Sequence, residues 1–381
     1  MNALIGVGLG LALVVATIVV LLCLGAFIRR SGLLGAAAVL VMPTFAPHFV
    51  LAGVFVAGIG WWSHTRHPDI GVVLLTLGGA GAVGSAVVTA VLIRTAWAAG
   101  GSVNLLRALA IGPMTGKADS TVTYATVGGQ DLNLEIYRPA DDSAPMLFYI
   151  HGGGFTGDTR LPATMRWFAD NGWLVICPEY RLARPDRPTW DQASADATRA
   201  YAWAAENAGM LGGDSGRMII MGESAGGNLA LILAYRIASG KDGAAEHLPP
   251  PLAVVANYPM VSPRAALTTH LLHIDQGVEQ YIGGSPEQFP ERYADVDCTS
   301  YLTPQAPPTL ILQGTRDSLV PPESVYDFVT RAERNGMDIT LVTVPFANHF
   351  YDGLAAGSLG FQALTTITRR YLTASRHRSR S

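Results

Sequence analysis

Charge is what this sequence has least of. Only 14% of its 381 residues are Asp, Glu, Lys or Arg, while 49% are hydrophobic. Ordinary soluble domains carry about 25% charged residues. A deficit of that size places part of the chain in lipid. The net charge of −3 leaves no basic excess to attract a polyanion, which excludes nucleic acid as a partner. Cysteine is nearly missing as well. Cys23, Cys177 and Cys298 have neither metal-ligand spacing nor the number a disulfide framework requires. Cys23 falls in an apolar run, so Cys177 and Cys298 are the only pair available, and buried free thiols are the simpler expectation. There is no internal repeat.

What is present instead is long uncharged sequence. Ala3 to Ile28 contains no charged residue and exceeds the ~20 residues that cross a bilayer core. A cleaved leader is the rival reading. It is weakened because Met1-Asn2 supplies no Lys or Arg, and because a leader's apolar run spans only ~7–15 residues. Ser31 to Trp62 is a second uncharged run, interrupted by Pro43 and Pro47. Either it is one kinked span, or a short interfacial piece precedes a span ending at Trp61-Trp62, residues suited to the membrane–water boundary. His48 reads as a packed or interfacial histidine rather than a proton relay. Ile70 to Ile93 is the third run. Gly78, Gly79, Gly81, Gly84 and Ser85, with Gly6 and Gly10, have the spacing of small residues that let helices approach closely. The same residues allow a homo-oligomer through the membrane helices. Three spans put Arg29, Arg30, Arg94, Arg107 and Lys117 on one side and Arg66 on the other. The positive-inside rule then places the C-terminal part in the cytoplasm. That side inverts if the second run spans twice or not at all. Leu105, Leu106 and Leu109 suggest a short amphipathic helix on the bilayer surface.

From Ser120 onward the pattern alternates. Apolar strand-like runs occur at 121–127, 132–138, 146–151, 173–178, 218–221, 252–258, 309–313 and 340–344. Helix-period stretches lie at 163–171, 194–208, 228–239, 323–335 and 361–373. Such alternation argues for a doubly wound α/β sheet, and about 260 residues suffice for one such domain. The expected layout is therefore a membrane domain over 1–98, a linker over 99–119, an α/β domain over 120–375 and a basic disordered tail over 376–381. Residues 262–303 break the rhythm and read as a cap or lid insertion.

The chemistry centres on Gly222-Glu223-Ser224-Ala225-Gly226, set between a strand-like run and a helical one. In that context Gly-x-Ser-x-Gly makes a turn so tight that only glycine fits at its ends, and it presents the serine hydroxyl at a helix N-terminus. A serine is a poor nucleophile until a base takes its proton, and the base needs a carboxylate to hold its tautomer. Downstream stand His247, His270, His273, His349 and His377. Only His349 follows a predicted strand, where sites in such sheets gather. Asp317 likewise follows a strand, with Glu323 and Asp352 as alternatives. The order Ser, Asp, His is that of α/β-hydrolases. His151-Gly152-Gly153-Gly154-Phe155 follows the third strand. Its N–H groups at Gly153 and Gly154, with that of Ala225, can meet the oxyanion of a tetrahedral intermediate. A phosphate-binding loop is the rival, but there is no Gly-Lys-Ser/Thr and no Gly-x-Gly-x-x-Gly opening a helix. His270, His273 and Asp275 have a spacing common on helix faces and lack a fourth ligand, so no metal is expected.

Together His151–Phe155, Tyr180–Ala183, Gly222–Asn228 and the Asp317 and His349 segments resemble the hormone-sensitive-lipase-like family of α/β-hydrolase esterases. The resemblance covers about Ser120 to Thr373. It implies an α/β-hydrolase fold and a carboxylester hydrolase without a cofactor. Ser224 would be the nucleophile, His349 the general base and acid, and Asp317 its orienter. Gly153, Gly154 and Ala225 would line the oxyanion hole, with His151 structural. Phe155 and Phe350 would contact substrate, a small-molecule or lipid ester. The family often has Asp at Glu223 and Gly at Phe350, and membrane spans here replace its usual N-terminal cap helices. Acyl transfer or deacetylation would use the same acyl-enzyme, and a receptor on a hydrolase scaffold is the non-enzymatic alternative.

Overall fold

A computed structural model describes residues 2–28, 32–141, 143–240 and 247–378. Arg29, Arg30 and the end of the basic tail lie outside the described residues. The chain packs into two compact units. The smaller is Met1–Pro113 with Gly314–Arg316 and Val344–Thr366; the larger is Met114–Gln313, Asp317–Thr343 and Ile367–Ser381. The sequence suggests one boundary near residue 119. The structure instead packs two later segments, 314–316 and 344–366, with the N-terminal helices.

In the smaller unit, α1 (Asn2–Phe27), α2 (Gly32–Ser63) and α3 (Pro68–Ala98) are each long and apolar enough to cross a membrane. The prolines do not divide α2, which runs as one helix of 32 residues with both inside it. Pro68 opens α3 at a position where the missing N–H has no helical partner to lose. Glycine fixes how closely α2 and α3 approach. A Cβ on Gly53 would lie 2.6 Å from the Ala82 nitrogen, one on Gly60 2.7 Å from the Gly71 oxygen, and one on Gly78 2.8 Å from the Gly53 oxygen. Gly81 and Gly84 meet Val19 and Cys23 of α1 in the same way. Gly6, Gly10 and Gly79 share the spacing but face open space. Spacing alone does not say which side of an all-apolar helix meets a neighbour. The predicted amphipathic turn is α4 (Leu105–Leu109), capped by Asn104, whose side chain accepts the Arg107 N–H at 3.1 Å. Leu105 and Leu106 are exposed. Asn104 and Gly112 are tied to the later segment: the Asn104 N–H donates to Gln362 Oε1 at 2.6 Å, and Gly112 bridges Ala356.

The larger unit is built on an eight-stranded sheet ordered β1-β2-β4-β3-β5-β6-β7-β8. Its strands are β1 (Ser120–Val127), β2 (Gln130–Tyr137), β3 (Ala144–Ile150), β4 (Leu174–Pro178), β5 (Gly213–Glu223), β6 (Val254–Asn257), β7 (Thr309–Gly314) and β8 (Ile339–Val344). β2 runs antiparallel to β1 and β4, whereas the β4–β3, β3–β5, β5–β6 and β6–β7 pairs are parallel. The parallel strands are buried on both faces, so they read as continuous apolar runs rather than alternating ones. The helices α5 (Pro162–Asp170), α6 (Trp190–Glu206), α7 (Ala208–Leu211), α8 (Ala225–Ser239) and α12 (Pro322–Arg334) belong to this unit, whereas α13 (Leu359–Arg378) begins in the smaller unit and ends in the larger. The insertion between β6 and β7 consists of α9 (Pro263–Ala266), α10 (Ile274–Ile282) and α11 (Pro290–Asp295) with two short 3-10 turns. α13 continues through Arg378, past the tail boundary expected at 376, because no Gly or Pro stops it. Cys23, Cys177 and Cys298 are free and buried. Burial pushes the Cys177 and Cys298 thiols well up.

Candidate active site

Ser224 sits between the last residue of β5 and the first of α8, with φ 54° and ψ −118°. That left-handed backbone is strained for a residue with a side chain and is held by its neighbours. The Ser224 N–H donates to the Asn257 carbonyl at 3.0 Å, while its own carbonyl accepts from Met260 and Asn228, both at 3.1 Å. The flanking glycines are required by contact. A Cβ on Gly222 would collide with the Gly226 carbonyl, and one on Gly226 with the carbonyls of Ile150 and His151. Ser224 remains partly exposed.

The glycine loop lies against this turn. A Cβ on Gly152 would come 3.3 Å from the Ser224 Cβ. Gly153 and Gly154 take φ of 118° and 61°, conformations open to glycine. Among the described residues, neither N–H has a backbone acceptor. Ala225 opens α8, where an N–H has no partner one turn earlier. His151 is buried and stacks on Tyr180, with ring centroids 4.5 Å apart. Its Nδ1 lies 2.7 Å from the Gly152 carbonyl, and Tyr180 donates its hydroxyl to the His151 carbonyl at 3.1 Å. Burial pulls His151 below its ordinary 6.5, with Asp158 opposing. The adjoining Arg181 is fixed by the fully buried Asp196 through bonds of 2.7 and 2.9 Å. The Ala183 N–H donates to the Phe155 carbonyl at 2.9 Å. The Tyr180–Ala183 motif is thus the brace of the glycine loop.

Phe155, expected from the sequence to contact substrate, packs under the insertion in the structure. It has no exposed surface and stacks face to face on Tyr281 of α10 at 3.7 Å. The insertion is further pinned by Gln280, whose amide donates to the Ala183 carbonyl at 2.8 Å. Asn228 donates to the Met260 and Val296 carbonyls, both at 2.9 Å, closing the two ends of the insertion. His270 pairs with Asp275 at 2.7 Å on the surface.

Asp317 follows β7, and the turn itself orients its carboxylate. Oδ1 accepts the N–H groups of Leu319 and Val320 at 2.9 Å each, and Oδ2 accepts Gln313 Nε2 at 3.0 Å. Of the alternatives, Glu323 is exposed on the first turn of α12 and Asp352 is buried in the smaller unit. His349 also belongs to the smaller unit, nearly buried, its N–H donating to Asn348 Oδ1 at 2.7 Å. Phe346 and Phe350 bracket it with φ of 56° and 59°. A left-handed backbone at 350 explains why glycine suits that position. A Cβ on Gly353 would collide with the Phe350 ring. Neither Arg316 nor Asn348 carried a motif that set it apart in the sequence.

The sheet order, the strained serine turn and the glycine loop define an α/β-hydrolase. The BD-FAE family matches residues 134–331, just over half of the chain, and the chain belongs to that family. Curated relatives include the probable carboxylic ester hydrolase LipM of Mycobacterium tuberculosis, 28% identical over 260 residues, or 65% of this chain and 59% of LipM. The ethyl acetate hydrolase of Pseudomonas putida is 38% identical over 149 residues, 35% of this chain and 46% of that protein. The chain thus spans less than two thirds of either relative. Among solved structures, the esterase LipW of Mycobacterium marinum matches with a TM-score of 0.55 at 25% identity, over 76% of this chain and 86% of LipW. The propionate-bound esterase of Thermogutta terrifontis has a TM-score of 0.55 at 24% identity, over 68% and 95%, a likeness of fold.

Proposed function

We propose that this chain is a membrane-anchored serine carboxylester hydrolase of the hormone-sensitive-lipase-like kind. Ser224 attacks the ester carbonyl, His349 takes its proton and returns it to the leaving alcohol, and Asp317 holds the imidazole. The N–H groups of Gly153, Gly154 and Ala225 receive the oxyanion. Water then releases the acyl group from Ser224 by the same route. The observation that carries this reading is the strained Ser224 turn packed against the glycine loop, with ester hydrolases as relatives supporting the reaction class. Phe350 forms one wall of the acyl site. Substrates are apolar or lipid-like esters reached from the bilayer, with α1 to α3 as anchor and the catalytic residues on the cytoplasmic side. The test is labelling of the full chain by a serine-directed phosphonate, with turnover of p-nitrophenyl esters. Ser224→Ala should abolish both, a fall of at least about 10³-fold. A folded wild-type chain that neither labels nor turns over would refute the assignment.

A further inference from the structure

Pro43 lies in the interior of α2. A proline has no N–H, so the carbonyl of Val39, four residues earlier, has lost its helical donor. The Asn348 N–H supplies one at 3.1 Å. Asn348 then takes the N–H of His349 on its own Oδ1. A second clasp closes on the end of α1. Arg316 Nη1 donates to Ala26 O at 2.8 Å and Gly25 O at 3.2 Å, and Nη2 reaches Ile28 O at 3.3 Å. A guanidinium there also meets the negative end of the helix dipole. Arg316 is the residue immediately before Asp317.

The clasps are joined to each other. The N–H of Arg316 donates to Ala347 O and that of Thr315 to Val344 O, both at 3.0 Å. Gly314 lets the two segments close up, since a Cβ there would lie 2.6 Å from Ala347 O. Phe27, at the end of α1, packs edge-on against Phe346 at 5.2 Å. Every one of these contacts is internal to the smaller compact unit. A carbonyl in an apolar helix has no water to turn to, so the donor that satisfies it is held firmly.

We propose that α1 and α2 are positioning elements for catalysis. Arg316 on the end of α1 and Asn348 in the proline gap of α2 hold the segments that bear the acid and the base. The inference rests on the triad proposed above. Catalytic geometry is unforgiving: a displacement of about 1 Å can lower a rate by ~10²-fold. The helices then set kcat as well as location.

The test uses the full chain in lipid nanodiscs, with p-nitrophenyl acetate turnover and phosphonate labelling. Pro43→Ala restores an N–H that competes for Val39 O. It also improves the helix, since alanine is the better helix former, so the melting temperature should hold or rise. Expected is a fall in kcat of ~10-fold with KM within about 2-fold. Arg316→Ala should lower kcat by ~10²-fold, and Arg316→Lys should recover part of it, because one ammonium reaches fewer carbonyls. Wild-type kcat in folded Pro43→Ala would overturn the proposal, and Pro43→Ala decides alone if Arg316→Ala does not fold. Undiminished activity in Ser224→Ala would instead sink the triad, so the two failures are distinct.

Discussion

At the scale of single residues, the glycine loop rests on buried side chains beneath it. His151 is the clearest, because its ring is sealed under the glycine loop and stacked on Tyr180. Burial holds its pKa below 6.5 in the folded chain, against the partial opposition of Asp158. The unfolded chain therefore binds a proton first as the pH falls. The stabilising contribution is complete above about pH 6.5 and is lost on the way down to the folded pKa, with a slope of up to about 1.4 kcal/mol per pH unit. His151→Asn keeps an N–H for the Gly152 carbonyl and removes the titration. Thermal melts at pH 7.5 and 5.5 should drop further for the wild type than for this variant; equal drops would contradict the buried neutral imidazole. The sequence revealed the serine, the acid and the base as candidates because each stands in a local motif after a strand. It did not show what packs on Phe155, since the stacked Tyr281 lies in an insertion with no motif of its own. It gave no sign of Arg316, whose acceptors lie 290 residues away in the chain.

At the scale of elements, the sequence pattern located all eight strands: the inner parallel ones are short buried apolar runs bounded by turn residues, while the antiparallel β1 and β2 alternate in burial. It failed where an element is apolar on every side. α1 to α3 have no polar face, so nothing in the pattern says which glycines meet a neighbour. The structure separates them: Gly53, Gly60 and Gly78 sit where no Cβ fits, while Gly6 and Gly10 face open space. Gly53→Val should therefore overpack the α2–α3 contact and destabilise the helices by about 1–3 kcal/mol. Gly6→Ala should be neutral or slightly stabilising, because alanine is favoured over glycine inside a helix. Melting of the two variants in detergent checks the contrast, and an equal effect at both positions would refute the packing. Pro43 illustrates the same limit. The sequence marks it as a helix breaker, yet the helix continues through it, because the carbonyl it frees finds a donor from residue 348.

At the scale of the whole molecule, a tether to the bilayer changes what concentration means. An ester of low solubility partitions into the membrane, and an enzyme anchored there meets it at a local concentration fixed by its mole fraction among the lipids rather than by its amount in solution. A short ester stays in water and is indifferent to the anchor. The three apolar helices therefore predict two kinetic regimes in one protein. At constant bulk substrate, adding inert detergent to mixed micelles dilutes a long-chain p-nitrophenyl ester at the surface, and its hydrolysis should slow in proportion, about tenfold for tenfold dilution. The acetate ester should be hydrolysed at an unchanged rate in the same series. On the proposed mechanism both esters pass through one Ser224 acyl-enzyme, so a difference between them reports delivery rather than chemistry. If the long-chain ester proved as insensitive to surface dilution as the acetate, delivery from the bilayer would be excluded while the hydrolase assignment stood.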